Sequence, residues 1–335
     1  SVKKRVVQPK EIDDILVNPG IGFETFHRFN GDKEVRNYPM CSIAYFRFYW
    51  DQVEPEEGRY AFDKIEALLE KAREHGQDLA LRFAPMDTDP HVPAGYRAKA
   101  KGFSFATKHP SWHPKAGQEA QTWAPDFNDP YFLARQEALV QAFGERFNGH
   151  PDLIRMDIGS MGRWGEWHTS ETPVPMPTEE NALKVIDWYL KYWNKTPLSM
   201  LIGYVPGLRY AVKKGAGWRA DSLGDYGHWG DKWCHMVNSY PRRLAEADAF
   251  EAWRRGPVTF EPPGTMEDLE RYVPTKGRGY GRMWDQALAW GASSYNAKSN
   301  PIPDVQVGPM NRFLKRCGYR FVLRSLQHEA MTQVG

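Results

Sequence analysis

The sequence predicts a closed barrel of eight parallel strands alternating with helices, and three observations carry that prediction. Short apolar runs alternate with longer amphipathic ones along nearly the whole chain. The linkers between most of them are short, so each strand returns through a crossover and its neighbour lies parallel to it. Eight such units fit within 335 residues, the size a (β/α)8 or TIM barrel takes. The main competing architecture is a doubly wound open sheet, which carries a glycine-rich phosphate turn after its first strand. NPGIGF contains GxG, but no third glycine and no helix follow it.

The elements read in order. A first strand lies near NPGIGFE (18–24), and SIAYFRFYW (42–50) is a second, rich in aromatic and branched residues. FDKIEALLEKAREHG (62–76) places Ile65, Leu68, Leu69 and Ala72 on one helical face and closes at Gly76. DLALRFAP (78–85) is the third strand, and YFLARQEALVQAFGERF (131–147) is a helix. DLIRMDIGS (152–160) and PLSMLIGY (197–204) are the fourth and fifth strands, separated by the helix EENALKVIDWYLKYW (179–193), and a short helix follows near 207–214. GWRADSLG (217–224) is the sixth strand, RRLAEADAFEAWRRG (242–256) a helix and PVTFEP (257–262) the seventh strand. GYGRMWDQALAWG (279–291), ASSYNAK (292–298) and MNRFLKRCG (310–318) complete the round as helix, strand and helix. The barrel thus spans 1–317. The tail 318–335 holds GYRFVLRSLQH (318–328), read as a strand that either packs beneath the barrel or begins a β-rich domain.

Composition excludes several classes of function. The 44 basic and 42 acidic residues leave a charge of +2. No basic block of the kind nucleic acids attract is present, and Lys3-Lys4-Arg5 reads as a solvated tail. No apolar run reaches the ~18 residues of a membrane span. The three cysteines are widely spaced without CxxC, so neither a disulfide framework nor a zinc site is encoded. Aromatic residues make up 14% of the chain, with 13 tryptophans. Many sit among Gly, Pro, Asp and His in loops, where core packing does not explain them.

Two segments break the strand–helix rhythm: 86–129, with His91, His109, Trp112, His113 and Trp123, and 223–240, LGDYGHWGDKWCHMVNSY. Both follow strand C-terminal ends, the face on which barrel enzymes build their sites, and long ordered loops there are usually functional. HPSWH (109–113) has helical His spacing, but Pro110 and Pro114 disfavour a helix and no metal is assigned to it.

Carboxylates at strand ends carry the chemistry. Glu166, in SMGRWGEWH, follows the fourth strand, and Glu261, in TFEPPG, ends the seventh. Barrel closure points both toward one axial cleft. Two carboxyls flanking a bond are what glycoside hydrolysis needs, one as proton donor and the other as nucleophile or base. Trp164 and Trp167 are expected to desolvate Glu166 and raise its pKa, as an acid requires. Arg47 and Arg82 lie at positions of the second and third strands that face inward, and each is expected to have a carboxylate partner. Asp221, Asp225 and Asn296 end strands and are candidates for binding sugar hydroxyls. Trp123, Trp229 and Trp233 are candidates for stacking on sugar rings, and His168 and His228 for touching substrate.

The stretch FRFYWDQVEPEEGRYAFDKIEALLEKAREHGQDLALRFAP resembles the second and third βα units of clan A glycoside hydrolases, where a strand runs into W-x-x-x-E-P-x-x-G-x-Y-x-F, then a helix, then a strand ending near an arginine. Family 42-like β-galactosidases are the nearest comparison, and the likeness extends over 18–317. It implies a TIM barrel with Glu166 as acid/base and Glu261 as nucleophile. The clan's asparagine before the acid is replaced by Gly165, so this resembles an outlying family. Glu54 matches the motif glutamate and is expected to serve loop structure. The resulting expectation is a retaining glycoside hydrolase acting on a β-linked oligo- or polysaccharide, with no cofactor, no metal and no nucleic-acid partner. Secretion or a periplasmic location is the favoured localisation. A non-catalytic carbohydrate-binding barrel and a metal-dependent barrel hydrolase are the alternatives.

Overall fold

The computed structural model describes residues 4–110, 114–276 and 279–329. Ser111, Trp112 and His113 of HPSWH lie outside the described residues.

Twelve strands and nine α-helices occur among the described residues. Strand β1 (Lys4–Val7) stands apart from the barrel. Strands β2 (Gly22–Phe26) and β3 (Ile43–Tyr49) open the barrel, and helices α1 (Trp50–Val53) and α2 (Phe62–Glu74) lead to β4 (Asp78–Ala84). The long insertion then carries α3 (Ala94–Arg97) and an antiparallel hairpin, β5 (Gly102–Lys108) with β6 (Glu119–Pro125). Helix α4 (Pro130–Phe147) returns to β7 (Leu153–Asp157), α5 (Glu179–Tyr192) to β8 (Leu198–Leu201), and α6 (Val205–Lys213) to β9 (Gly217–Ala220). Helix α7 (Tyr240–Glu246) precedes β10 (Val258–Phe260), α8 (Tyr280–Ala289) precedes β11 (Ser294–Tyr295), and α9 (Asp304–Arg316) closes the round. The barrel order is β10-β11-β2-β3-β4-β7-β8-β9, closed, with every pairing parallel. The predicted (β/α)8 barrel is the fold observed.

Local chemistry accounts for the helix starts. Asp129 caps α4 by accepting from the backbone N–H groups of Tyr131 and Phe132, with Pro130 in the first turn. Thr178 caps α5, and Glu179 and Glu180 follow where the helix dipole favours acids. The apolar core lies between strands and helices. Trp50, Trp167, Trp188, Trp193, Trp218, Trp284 and Trp290 are all buried, so seven of the 13 tryptophans are packing residues. The aromatic richness therefore owes more to the core than expected.

Three expectations need correction. The helix read over 242–256 is broken: α7 ends at Glu246, Asp248 takes a left-handed φ of 53°, and a short 3-10 turn covers Ala252–Arg254. The strand read over 318–328 is confined to β12 (Leu326–Glu329), which pairs antiparallel with β1. Its partner is the segment read as a solvated tail, so Lys4 and Arg5 lie in an exposed two-stranded ribbon. Arg320 and Arg324 tie the preceding stretch to the carbonyls of Ile12 and Asp14 and to Glu11.

Candidate active site

The barrel interior is charged. Arg47, Arg82, Asp157 and Ser199 are successive register partners across β3, β4, β7 and β8. Arg155 joins Glu24 of β2 at 2.6 Å and Asp157 at 2.8 Å, and Asp157 also accepts from the Tyr45 hydroxyl at 2.8 Å. Arg219 of β9 lies 3.6 Å from Asp157 through its Nε and reaches upward with its other two nitrogens. Arginine donors in this network offset much of the desolvation that buried carboxylates would otherwise suffer.

Glu166 is placed by a strained turn. After β7 the chain passes Gly159 and folds back through Trp164, Gly165 and Trp167, all with φ between 54° and 71°. A Cβ on Gly165 would sit 2.3 Å from the Gly159 carbonyl oxygen, so no side chain fits where the clan carries asparagine. The turn is locked by the Trp164 N–H on the Met86 carbonyl and by the Trp167 indole N–H on the Ile158 carbonyl, both 2.7 Å. Non-glycine residues held left-handed are costly, and such strain concentrates at functional sites.

Glu261 follows β10 directly. Its N–H donates to the Ala220 carbonyl, and its own carbonyl accepts from Leu223, so its backbone is stitched to the end of β9. Its carboxylate takes an Arg219 Nη2 donor. The other terminal nitrogen of Arg219 lies 3.8 Å from Glu166. One guanidinium therefore spans both carboxylates. Arg82 lies 3.6 Å and His168 3.5 Å from Glu166, and Lys298 lies 3.9 Å from Glu261.

The electrostatics overturn one expectation. Burial raises the Glu166 carboxyl, but the His168 hydrogen bond, Arg82 and Arg219 outweigh it and hold the group at about 2. Trp167 is fully buried and stacks on Tyr204, 5.6 Å between centroids, so it packs the loop rather than desolvating the acid. Trp164 is half-buried between Arg163 and His168. Burial likewise works against the Glu261 carboxylate, yet Arg219, Lys298, Arg82 and Arg47 lower it. His168 is disfavoured as imidazolium by burial but raised by Glu166.

The remaining candidates divide. Asp221 belongs to the site: it stands with Glu166 and His168, ligand atoms within 4.8 Å of one another. That trio has the donor types of a metal site, but Glu166 already faces two guanidiniums, which oppose a cation there. Asn296 sits buried above β11 with its Nδ2 unpartnered. Arg47 is half-buried with no carboxylate in contact among the described residues, which differs from the expected ion pair; Phe26 and Tyr49 rings flank it at 5.7 and 5.6 Å. Asp225 is spent on its own loop, accepting from the N–H groups of Gly227, His228 and His235 and from the His235 ring. His228 lies on that loop against Tyr272, and Trp229 is exposed beside it, as is Trp233 beside His235. Trp123 lies in the hairpin with Arg97 over its ring. Glu54 accepts from the Trp50 indole and the Tyr96 hydroxyl, both at 2.6 Å, and from the Gly58 N–H at 2.8 Å, so it does serve loop structure.

Sequence reasoning missed Glu24, Arg155, Asp157, Arg219 and Lys298. The signal was present for three of them: Arg155 and Asp157 are two apart in LIRMD, and Arg219 interrupts GWRA. These are polar residues in short apolar strands, the same cue that singled out Arg47 and Arg82.

A family model described as "Glyco_hydro_42: Beta-galactosidase" matches residues 30–161. The match takes in β3 through β7 and ends before Glu166. Among solved structures, the GH5_18 protein from Streptomyces cattleya in complex with GlcNAc is 15% identical with a TM-score of 0.51, covering 82% of this chain and 70% of that one. Native xylanase 10B from Thermotoga maritima is 14% identical with a TM-score of 0.50, covering 88% of this chain and 94% of that one. Comparison with curated protein sequences gives no match. The chain is thus similar to clan A glycoside hydrolase barrels, by sequence over part of its length and by fold over most of it.

Proposed function

We propose that this protein is a retaining glycoside hydrolase cleaving a β-linked oligo- or polysaccharide, with Glu261 as nucleophile and Glu166 as acid/base. The observation that carries the reading is Arg219, whose guanidinium reaches both carboxylates at the C-terminal mouth of the barrel. The family match and the likeness to glycosidase folds support it. Glu261, held ionised by Arg219, attacks the anomeric carbon as the bond to the leaving oxygen breaks. The proton for that oxygen is delivered through Glu166, beside which the His168 ring lies at 3.5 Å as the neighbouring proton source. Water then cleaves the glycosyl ester while Glu166 takes its proton. Retention needs the carboxyls ~5–5.5 Å apart, inversion ~6.5–9.5 Å.

One observation favours a second reading, a carbohydrate-binding barrel without turnover: Glu166 at about 2 is a poor proton donor. A panel of aryl β-glycosides and β-glucans separates the two. The hydrolase reading expects release of product, with the first-formed anomer of β configuration by proton NMR. It also expects Glu166→Gln to lower kcat by ~10²–10⁴-fold. Wild-type protein that binds glycan and never turns it over establishes the second reading instead.

A further inference from the structure

Building on the hydrolase reading, we infer that the site is built for an anionic sugar, whose carboxylate or sulfate is received by Arg82 and Arg47. These two residues are register partners on adjacent strands, so two cations stand side by side at the mouth. Arg82 is 1% exposed, and its Nε, Nη1 and Nη2 all lack a hydrogen-bond partner among the described residues. Its ion-pair partner Glu166, at 3.6 Å, is beyond hydrogen-bond reach. The Arg47 Nε is buried and unpartnered as well.

The surplus extends around them. Arg219 Nη1, Asn296 Nδ2 and His168 Nδ1 are also buried without partners. Apart from the Ser199 hydroxyl, the orphaned atoms of this cluster are nitrogens; the guanidinium and amide nitrogens donate, as does His168 Nδ1 when the ring is protonated. A neutral sugar hydroxyl brings a hydrogen of its own, which needs an acceptor. A carboxylate or sulfate brings acceptors only and matches a guanidinium fork in paired hydrogen bonds. Leaving guanidinium N–H groups buried without acceptors is expensive, so a site shaped this way is completed by an acceptor-rich group.

The same contact bears on the acid. Arg82 is one of the cations holding Glu166 ionised. An anion seated on Arg82 takes up its charge, which moves the Glu166 carboxyl upward, toward the range a proton donor needs. The correct substrate would then prime its own acid.

The test is calorimetric titration of the whole protein with glucuronate, galacturonate and the 6-sulfates of glucose and galactose, against glucose and galactose. At least one anionic sugar should bind roughly tenfold or more tighter than its neutral parent, with the advantage shrinking as salt is added. The tighter arm, uronate or sulfate, names the anion. Arg82→Gln and Arg47→Gln should each erase the preference, and Arg47, half-buried, keeps the test open where Arg82→Gln fails to fold. Neutral sugars binding as tightly as the anions, or a preference surviving in folded Arg47→Gln, overturns the proposal. Hydrolysis of the matching aryl β-glycosides is read in parallel. Anion binding without hydrolysis sinks the hydrolase reading alone, and hydrolysis confined to neutral glycosides sinks the anion site alone.

Discussion

Glu166, the proposed acid/base, is also a residue on which stability depends. Its carboxyl is depressed to about 2 in the fold, against an ordinary value of 4.5. A depressed carboxylate contributes stability that is complete above its unfolded pKa and is lost as pH falls through the folded one. The affected window therefore runs from about pH 5 down to about 2. Glu166→Gln leaves Arg82 and Arg219 with one carboxylate fewer, a change expected to cost about 3 kcal/mol near neutrality. The difference in Tm between wild type and this variant should be largest at pH 6–7 and shrink steadily on acidification. A difference constant with pH would mean that the cations do not hold Glu166 ionised. Both glutamates were legible in the sequence because Glu261 directly follows a short apolar strand and Glu166 lies in the loop that leaves another. The pKa direction was not, because neighbouring indoles are visible in SMGRWGEWH while Arg82 and Arg219 reach Glu166 only through barrel closure.

At the scale of elements, the motif from Trp50 to Phe62 shows what a sequence pattern can and cannot say. Trp50, Glu54 and Gly58 are joined by hydrogen bonds, Gly58 has a φ of 74°, and Tyr60 and Phe62 pack ring to ring. The motif is a folding device that seats α2, and its recognisability comes from that rigidity. The insertion after β4 was legible only as a long segment. The first strand of its hairpin, β5, alternates exposed and half-buried residues, a pattern without the apolar weight of a barrel strand. His91 fastens this insertion to the barrel, 3.0 Å from Asp51 and 3.3 Å from Asp87. Burial opposes its protonation, but the two aspartates raise it to about 9. A raised histidine contributes stability that is full below pH ~6.5 and is lost as pH rises through the folded value. His91→Gln should therefore lower Tm at pH 6 and converge on wild type above pH 9 or so. A gap that persists at high pH would show that the imidazolium is not what secures the insertion.

For the whole molecule, the closed barrel turns charged interruptions of five apolar strands into one charged interior. Arg82, Arg155 and Arg219 pair there with Glu24, Asp157, Glu166 and Glu261, Lys298 adds to Glu261, and Arg47 stands beside Arg82 in register. Alternation of strands and helices made the fold readable. Inward-facing polarity was readable strand by strand, but the pairing was not, since Glu24 and Arg155 are 131 residues apart. The same closure brings Glu166 and Glu261 under one guanidinium, the arrangement on which the proposed hydrolysis rests. Its most direct test is the intact mass and peptide map of the protein quenched during reaction with β-linked 2-deoxy-2-fluoroglycosides, neutral and uronide. A covalent sugar is expected on the peptide bearing Glu261, absent in Glu261→Gln. Continued turnover of natural glycosides by Glu261→Gln, or an adduct on another residue, would contradict it.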